Sequence, residues 1–235
     1  MKKFVFPALL AVALVASAQA AELRPFTANY QMSRNGSLVG EATFTLRPAA
    51  GGWEYDQSTR GTHGVAALAA ANVDENSALE VVGGALQLRS YRYRMSTLLK
   101  SSNRSVDVNA AAHTITIRDK KRDLSFPMQA GVLDQNSVTL AIAQDLAAGK
   151  RGTLSYPVAT RSAVETQRYV VGKESMLQVP AGSLRTIVVT RQRDSNNGRV
   201  TAYWFGIDNG YVPVRIVQNE PSGESWVASL VSVMR

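Results

Sequence analysis

The chain has 235 residues, of which 45% are hydrophobic and 19% charged, and a formal net charge of +8. That composition excludes a disordered, collagen-like or coiled-coil chain. There is no cysteine, so disulfides, thiol chemistry and thiolate metal sites are excluded and hydrophobic burial must carry the stability of the fold.

Residues 1–20 read as a cleaved export leader. Lys2 and Lys3 supply a positive start, Phe4 to Val15 an apolar run, and Ala18-Gln19-Ala20 the small-x-small pattern of a cleavage site. The run falls short of the ~20 apolar residues that span a bilayer, and no second run of that length follows. The expectation is delivery to the periplasm, no membrane-spanning segment after cleavage, and one β-rich domain over residues 21–235. Loss of Lys2 and Lys3 lowers the charge from +8 to +6, a balance that could favour anionic lipids or acidic polymers. The basic residues are dispersed, however, and the densest cluster, Arg118 to Arg122, contains Asp119 and precedes Asp123. Nucleic acid is not an expected partner, since no binding motif occurs.

From Phe26 onward the apolar period is two. Phe26, Ala28, Tyr30 and Met32 alternate with polar residues up to Asn35-Gly36, a dipeptide suited to a type I′ hairpin turn. Strands over Leu38 to Leu46 and Trp53 to Arg60 complete a meander. Val65 to Ala71 is alanine-rich and predicts a short helix. Further strands are expected over 77–82, 85–98, 104–108, 114–118 and 123–128. Asp134 is a candidate N-cap for a second helix over Gln135 to Ala148, with Val138, Ala141, Ile142 and Leu146 at helical spacing and Gly149-Lys150 as a stop. Beyond it, strands are expected over 152–157, 163–172, 173–179, 183–193, 199–205, 211–218 and 224–234, separated by Gly-, Pro- and Asn-containing turns.

About a dozen strands and two helices predict a mainly β fold: a single antiparallel curved sheet forming a β-roll or partly open barrel, whose second helix lies on the sheet and could plug an open end. Pro180 and Gly182 suit a tight turn that fixes hairpin register. Pro213 cannot donate to a ladder, which predicts an edge or a bulge there; an edge beside Arg215 would offer a docking place for a partner strand.

Sites of familiar chemistry are absent from the sequence. His63 and His113 are isolated, and neither a metal-ligand spacing, a nucleophile elbow, a phosphate loop nor a dinucleotide fingerprint occurs. No catalytic residue, metal or cofactor is therefore assigned. Glu41, Glu54, Glu80, Glu165 and Asp107 fall on expected strands, where a carboxylate pair facing one cleft would be needed for glycan hydrolysis. Tyr91, Tyr93 and Met95 share one strand face while Arg92 and Arg94 share the other, so the tyrosines either fill the core or line a cavity. Trp204 is a large core anchor, and Arg215 could pair with an acidic neighbour or an anionic ligand. Tyr91, Tyr93, Trp204 and Arg215 are the candidate ligand-binding residues.

The segment Val179-Pro-Ala-Gly182, followed by Leu184 and Thr186, then Tyr203-Trp-Phe205 and Tyr211-Val-Pro-Val-Arg-Ile216, occurs in that order. Together with Glu75-Asn-Ser77 through Tyr93 and Leu133-Asp-Gln-Asn-Ser137, it resembles the exported bacterial family of domain of unknown function 3108. The resemblance implies an exported, mostly β protein with no agreed catalytic residues. Its general shape is similar to the curved sheets of periplasmic lipoprotein carriers, in which a sheet wraps a helix-plugged apolar cavity. Three functions follow as expectations: a periplasmic module binding an apolar or lipid-like ligand, an envelope scaffold that binds a protein partner through a strand edge or basic face, and, third, a carboxylate-dependent glycan hydrolase.

Overall fold

The structure is a computed structural model that describes residues 23–120, 122–193 and 198–235. The expected leader, Lys121 of the basic turn and Asn197 of the expected Asn197-Gly198 turn lie outside the described residues.

Strands β1 (Phe26–Arg34), β2 (Ser37–Ala49) and β3 (Gly52–Gly61) form the expected meander, and helix α1 (Gly64–Leu68) leads to β4 (Asn72–Val82). Asn35 and Gly36 have φ of +49° and +81°, the paired positive values of a type I′ turn. The chain continues through β5 (Ala85–Ser96), β6 (Ser101–Asn109), β7 (Thr114–Asp119), β8 (Arg122–Pro127) and the two-residue β9 (Leu133–Asp134) to helix α2 (Val138–Ala147). Strands β10 (Thr153–Ala159), β11 (Val164–Val179), β12 (Gly182–Gln192), β13 (Val200–Gly206), β14 (Val212–Asn219) and β15 (Ser225–Met234) complete it.

All fifteen strands among the described residues belong to one sheet. Its order is β8-β7-β6-β5-β4-β3-β2-β1-β15-β14-β13-β12-β11-β10-β9, so pairing of β1 with β15 puts the first and last strands in the middle and leaves mid-chain strands at the two ends. Every ladder is antiparallel except β9 with β10. The sheet curls without closing as a ladder. Contacts across the roll instead join the β9–β11 side to β5 and β7: the Leu88 N–H of β5 donates to the Val132 carbonyl at 2.8 Å, and Arg161, between β10 and β11, donates Nε and Nη2 to Oδ2 of Asp119 of β7 at 3.2 Å each. Asp119 is 1% exposed and also faces Arg122 at 3.5 Å.

Strand parity selects the inner face. Tyr55, Ser77, Tyr91, Val106 and Ile117 stand opposite one another across β3 to β7, and none is more than 3% exposed. The α2 helix buries Val138, Leu140, Ala141, Ile142 and Leu146 against this core. Its C-terminus closes as a Schellman motif, with the Gly149 N–H donating to Leu146 O and the Lys150 N–H to Asp145 O; Gly149 has φ +80°, which glycine adopts without a Cβ penalty.

Several expectations need correction. The second helix starts later than read, and Ser137, not Asp134, is its N-cap; Asp134 ends β9 because its backbone pairs with Ala159. Residues 163–172 and 173–179 form one strand, β11, with a bulge between Val171 and Glu174. Gly172 lies there because an added Cβ would meet Val188 Cγ1 at 2.7 Å. Pro213 does sit at a bulge, between the Trp204–Arg215 and Phe205–Pro213 pairs. The strand carrying Arg215 is not an edge, since β14 pairs with β13 on one side and β15 on the other.

Candidate functional site

A cavity of about 270 Å³ opens between α2 and the strand ends of β1, β2 and β14, in the middle of the sheet order. Its apolar wall comes from four separated stretches of chain: Leu23 and Phe26, Leu46 at the far end of β2, Leu140 and Ala143 on α2, and Val212-Pro213 at the start of β14. Leu140 belongs to the buried stripe that α2 lays on the core, and Ala143 is the small neighbouring residue that leaves space. Pro213 is fixed from behind by Tyr30, whose hydroxyl donates to the Pro213 carbonyl at 2.7 Å. The polar groups at the lining are Arg24, Thr139, Gln144, Tyr211 and Arg235. An apolar recess with a few polar groups, set in the mouth of a barrel-like sheet, is the usual construction of a small-molecule site.

The α2 start is held by a buried polar cluster. Asp134 Oδ1 accepts the backbone N–H groups of Asn136 and Ser137 at 2.7 and 3.0 Å, and Oδ2 accepts the Ser137 hydroxyl at 2.7 Å. Asn136 Nδ2 donates to Ser77 Oγ at 3.0 Å and to the Tyr55 carbonyl at 3.2 Å. Burial pushes the Asp134 carboxyl up, and the hydrogen bonds from Ser137, Ser77 and Asn136 oppose that rise. Nearby, Tyr91 donates its hydroxyl to Glu75 Oε2 at 2.5 Å. Burial raises the Glu75 carboxyl, the Tyr91 bond lowers it, Asp134 raises it and Arg104 lowers it. Tyr55 is pushed up to about 12, chiefly by burial. Asp134 thus has both oxygens engaged in holding the chain turn.

A second, open groove of about 670 Å³ includes Asp56, Asp74, Arg92, Arg94, Arg118 and Lys120. Its charges are largely paired within the surface: Arg60 with Asp74 at 2.6 Å, and Arg92 and Arg118 with Asp107 at 2.6 and 2.8 Å. Exposed pairs of this kind contribute little and stay hydrated, so the apolar cavity is the stronger candidate site.

The family model described as protein of unknown function (DUF3108) matches residues 29–230. The chain belongs to that family. The DUF3108 chain is similar in fold to the β-barrel-like protein of domain of unknown function DUF1849 from Brucella abortus, at a TM-score of 0.57 and 12% identity, covering 91% of this chain and 98% of that one. Weaker likenesses are to a candidate lipoprotein of Parabacteroides distasonis (TM-score 0.34, 8% identity, 90% and 96% covered) and to a candidate exported protein with a YmcC-like fold from Bacteroides fragilis (TM-score 0.31, 9% identity, 90% and 94% covered). None of the curated proteins matches the sequence. No helix among the described residues is long and apolar enough to cross a membrane.

In this DUF3108 fold the two quoted stretches Glu75–Tyr93 and Leu133–Ser137 meet in the buried cluster, through the Asn136–Ser77 bond. The candidate ligand residues separate into two places. Tyr91 and Tyr93 face inward; Tyr91 is 3% exposed, and Tyr93 is half-buried beneath the Arg104 guanidinium, 4.8 Å from its ring centroid. Trp204 and Arg215 stand opposite each other across β13 and β14 on the outer face, both half-buried. None of the four lines the α2 cavity. Pro180 and Ala181 form the two-residue turn between β11 and β12, and Val179 pairs with Gly182 as the register device requires. Tyr211 and Pro213, both in the Tyr211–Ile216 motif, line the cavity. Of the strand carboxylates, Glu54 pairs with Arg47, Asp107 with Arg92 and Arg118, and Glu165 with Arg191. Sequence reasoning missed Arg24, Leu140 and Arg235 as site residues, because only the fold brings these distant segments together.

Proposed function

We propose that this protein is an exported, periplasmic binding module that takes an apolar or amphipathic, lipid-like ligand in the cavity beneath α2. One observation carries the reading: the apolar recess of about 270 Å³ at the mouth of the β-roll. The size supports it, since an apolar cavity of ~150 Å³ already suffices to hold benzene. No step of chemistry is assigned, because the buried carboxylates are committed to holding the α2 start and Tyr91. The alternative of a scaffold docking through a strand edge has less support. The open edge strand β8 carries Arg122, Asp123 and Pro127, residue types that blunt edges against pairing.

Native mass spectrometry of protein purified from the periplasm without detergent tests the reading. A bound mass released by organic extraction is the expected result, and it should vanish in Leu140→Trp, which fills the cavity. A chain found only in the cytoplasm, or one that never carries or takes up an apolar molecule, contradicts it.

A further inference from the structure

Resting on that reading, we propose that the ligand is a single apolar chain ending in an oxyanion, with Arg24 and Arg235 receiving the charged head. The volume of about 270 Å³ lies just below the ~300–1,000 Å³ of pockets for drug-sized molecules, which suits one chain and excludes a two-chain lipid bound in full.

The charge of the lining selects the head. Both ionisable side chains at the cavity that are charged at neutral pH are arginines, and no acidic residue is among the lining. Arg24 is exposed and makes no ion pair among the described residues. Arg235 gives Nη2 to the Asn209 carbonyl and keeps its other donors. A guanidinium offers a planar fork that matches carboxylate and phosphate oxygens.

The backbone beside Arg235 is shaped for this arrangement. Gly210 has φ +58°, a conformation that glycine adopts without strain, and the Arg235 guanidinium lies directly against it. Tyr211 also has φ +58°, an outlier for a bulky residue. It stands at the cavity lining, and strain of this kind concentrates at ligand-holding positions.

Isothermal titration with decanoate, decyl phosphate, decanol and decyltrimethylammonium separates the chain from the head. The two oxyanions should bind the wild-type protein about tenfold or more tighter than the other two, and the tighter of them identifies the head as carboxylate or phosphate. In the Arg24→Gln/Arg235→Gln variant both should fall to the level of decanol; both side chains are exposed, so the fold is expected to persist. Arg94→Gln, on the outer sheet face, should leave the binding unchanged. If decanol binds as tightly as decanoate, or the double variant keeps the preference, the oxyanion head is overturned while the chain-binding cavity stands. If none of the four binds, both are overturned.

Discussion

Asn136 and Ser77 are 59 residues apart in sequence and 3.0 Å apart in the fold, joined by a hydrogen bond from the Asn136 amide to the Ser77 hydroxyl. The same amide donates to the Tyr55 carbonyl, so one side chain fastens the start of α2 to two strands of the inner face. The position of α2 sets the cavity, and the position of Asn136 sets α2.

Replacing Asn136 by Leu removes both bonds and leaves the buried Tyr55 carbonyl without this donor. A loss of about 1–3 kcal/mol is expected, the usual cost of an unsatisfied buried group. Urea unfolding measures it. Ser77→Ala should cost less, because the Asn136 bond to the Tyr55 carbonyl survives; equal effects of the two variants would show that the fastening does not depend on that carbonyl.

The Glu75 and Asp134 carboxyls are pushed above their ordinary values chiefly by loss of hydration, Asp134 fully buried and Glu75 half-buried at the edge of the open groove. The folded state therefore binds more protons than the unfolded chain between the ordinary carboxylate range and the raised folded values. Stability from these two groups is complete below about pH 4 and declines as pH rises through that window. Glu75→Gln keeps an acceptor for Tyr91 and removes the charge, so its stability should fall less between pH 4 and neutrality than that of the wild type. Urea midpoints measured across pH decide this, and parallel curves for the two proteins would contradict it.

Asp119 of β7 and Arg161, between β10 and β11, join two sides of the curled sheet. Arg161→Gln leaves the carboxylate of Asp119, 1% exposed, with Arg122 as its remaining ion-pair partner among the described residues. A cost of about 1–3 kcal/mol is expected for a charge left poorly partnered, together with faster amide exchange at Leu88, whose N–H bonds across the same gap. Unchanged exchange at Leu88 in a destabilised variant would separate the ion pair from closure of the roll.

Trp204 and Arg215 face each other outside the barrel, away from the cavity lining. Trp204→Ala should lower stability through lost packing and leave decanoate binding within about twofold of the wild type. Leu140→Trp should abolish binding while the protein remains folded, at a cost of about 1–3 kcal/mol for the larger side chain at a buried position. Loss of binding in Trp204→Ala at unchanged stability would move the site to the outer face.

Local patterns in the sequence carried the elements but not their assembly. The Asn35-Gly36 turn, the parity of Tyr91 against Arg92, and the Gly149 stop of α2 were legible because each depends on residues a few positions apart. The bulge at Gly172 was read as a strand break, since its cause is the Val188 side chain on the neighbouring strand. Asp134 was read as an N-cap from its residue type, whereas pairing of its backbone with β10 makes it the last residue of a strand. The cavity was invisible for the same reason at larger scale: Leu46, Leu140, Val212 and Arg235 become neighbours only after the sheet has curled round α2. Tyr211 and Pro213 stood out in the sequence as a motif, and their place at the lining needed the fold.

The most direct test of the account is a crystal structure of the protein grown with ω-brominated decanoate, read by anomalous scattering from the bromine. The account predicts one strong bromine peak beneath α2, among Leu46, Leu140 and Val212. A peak on the outer face by Trp204, or no peak at a concentration that saturates binding in solution, would contradict it.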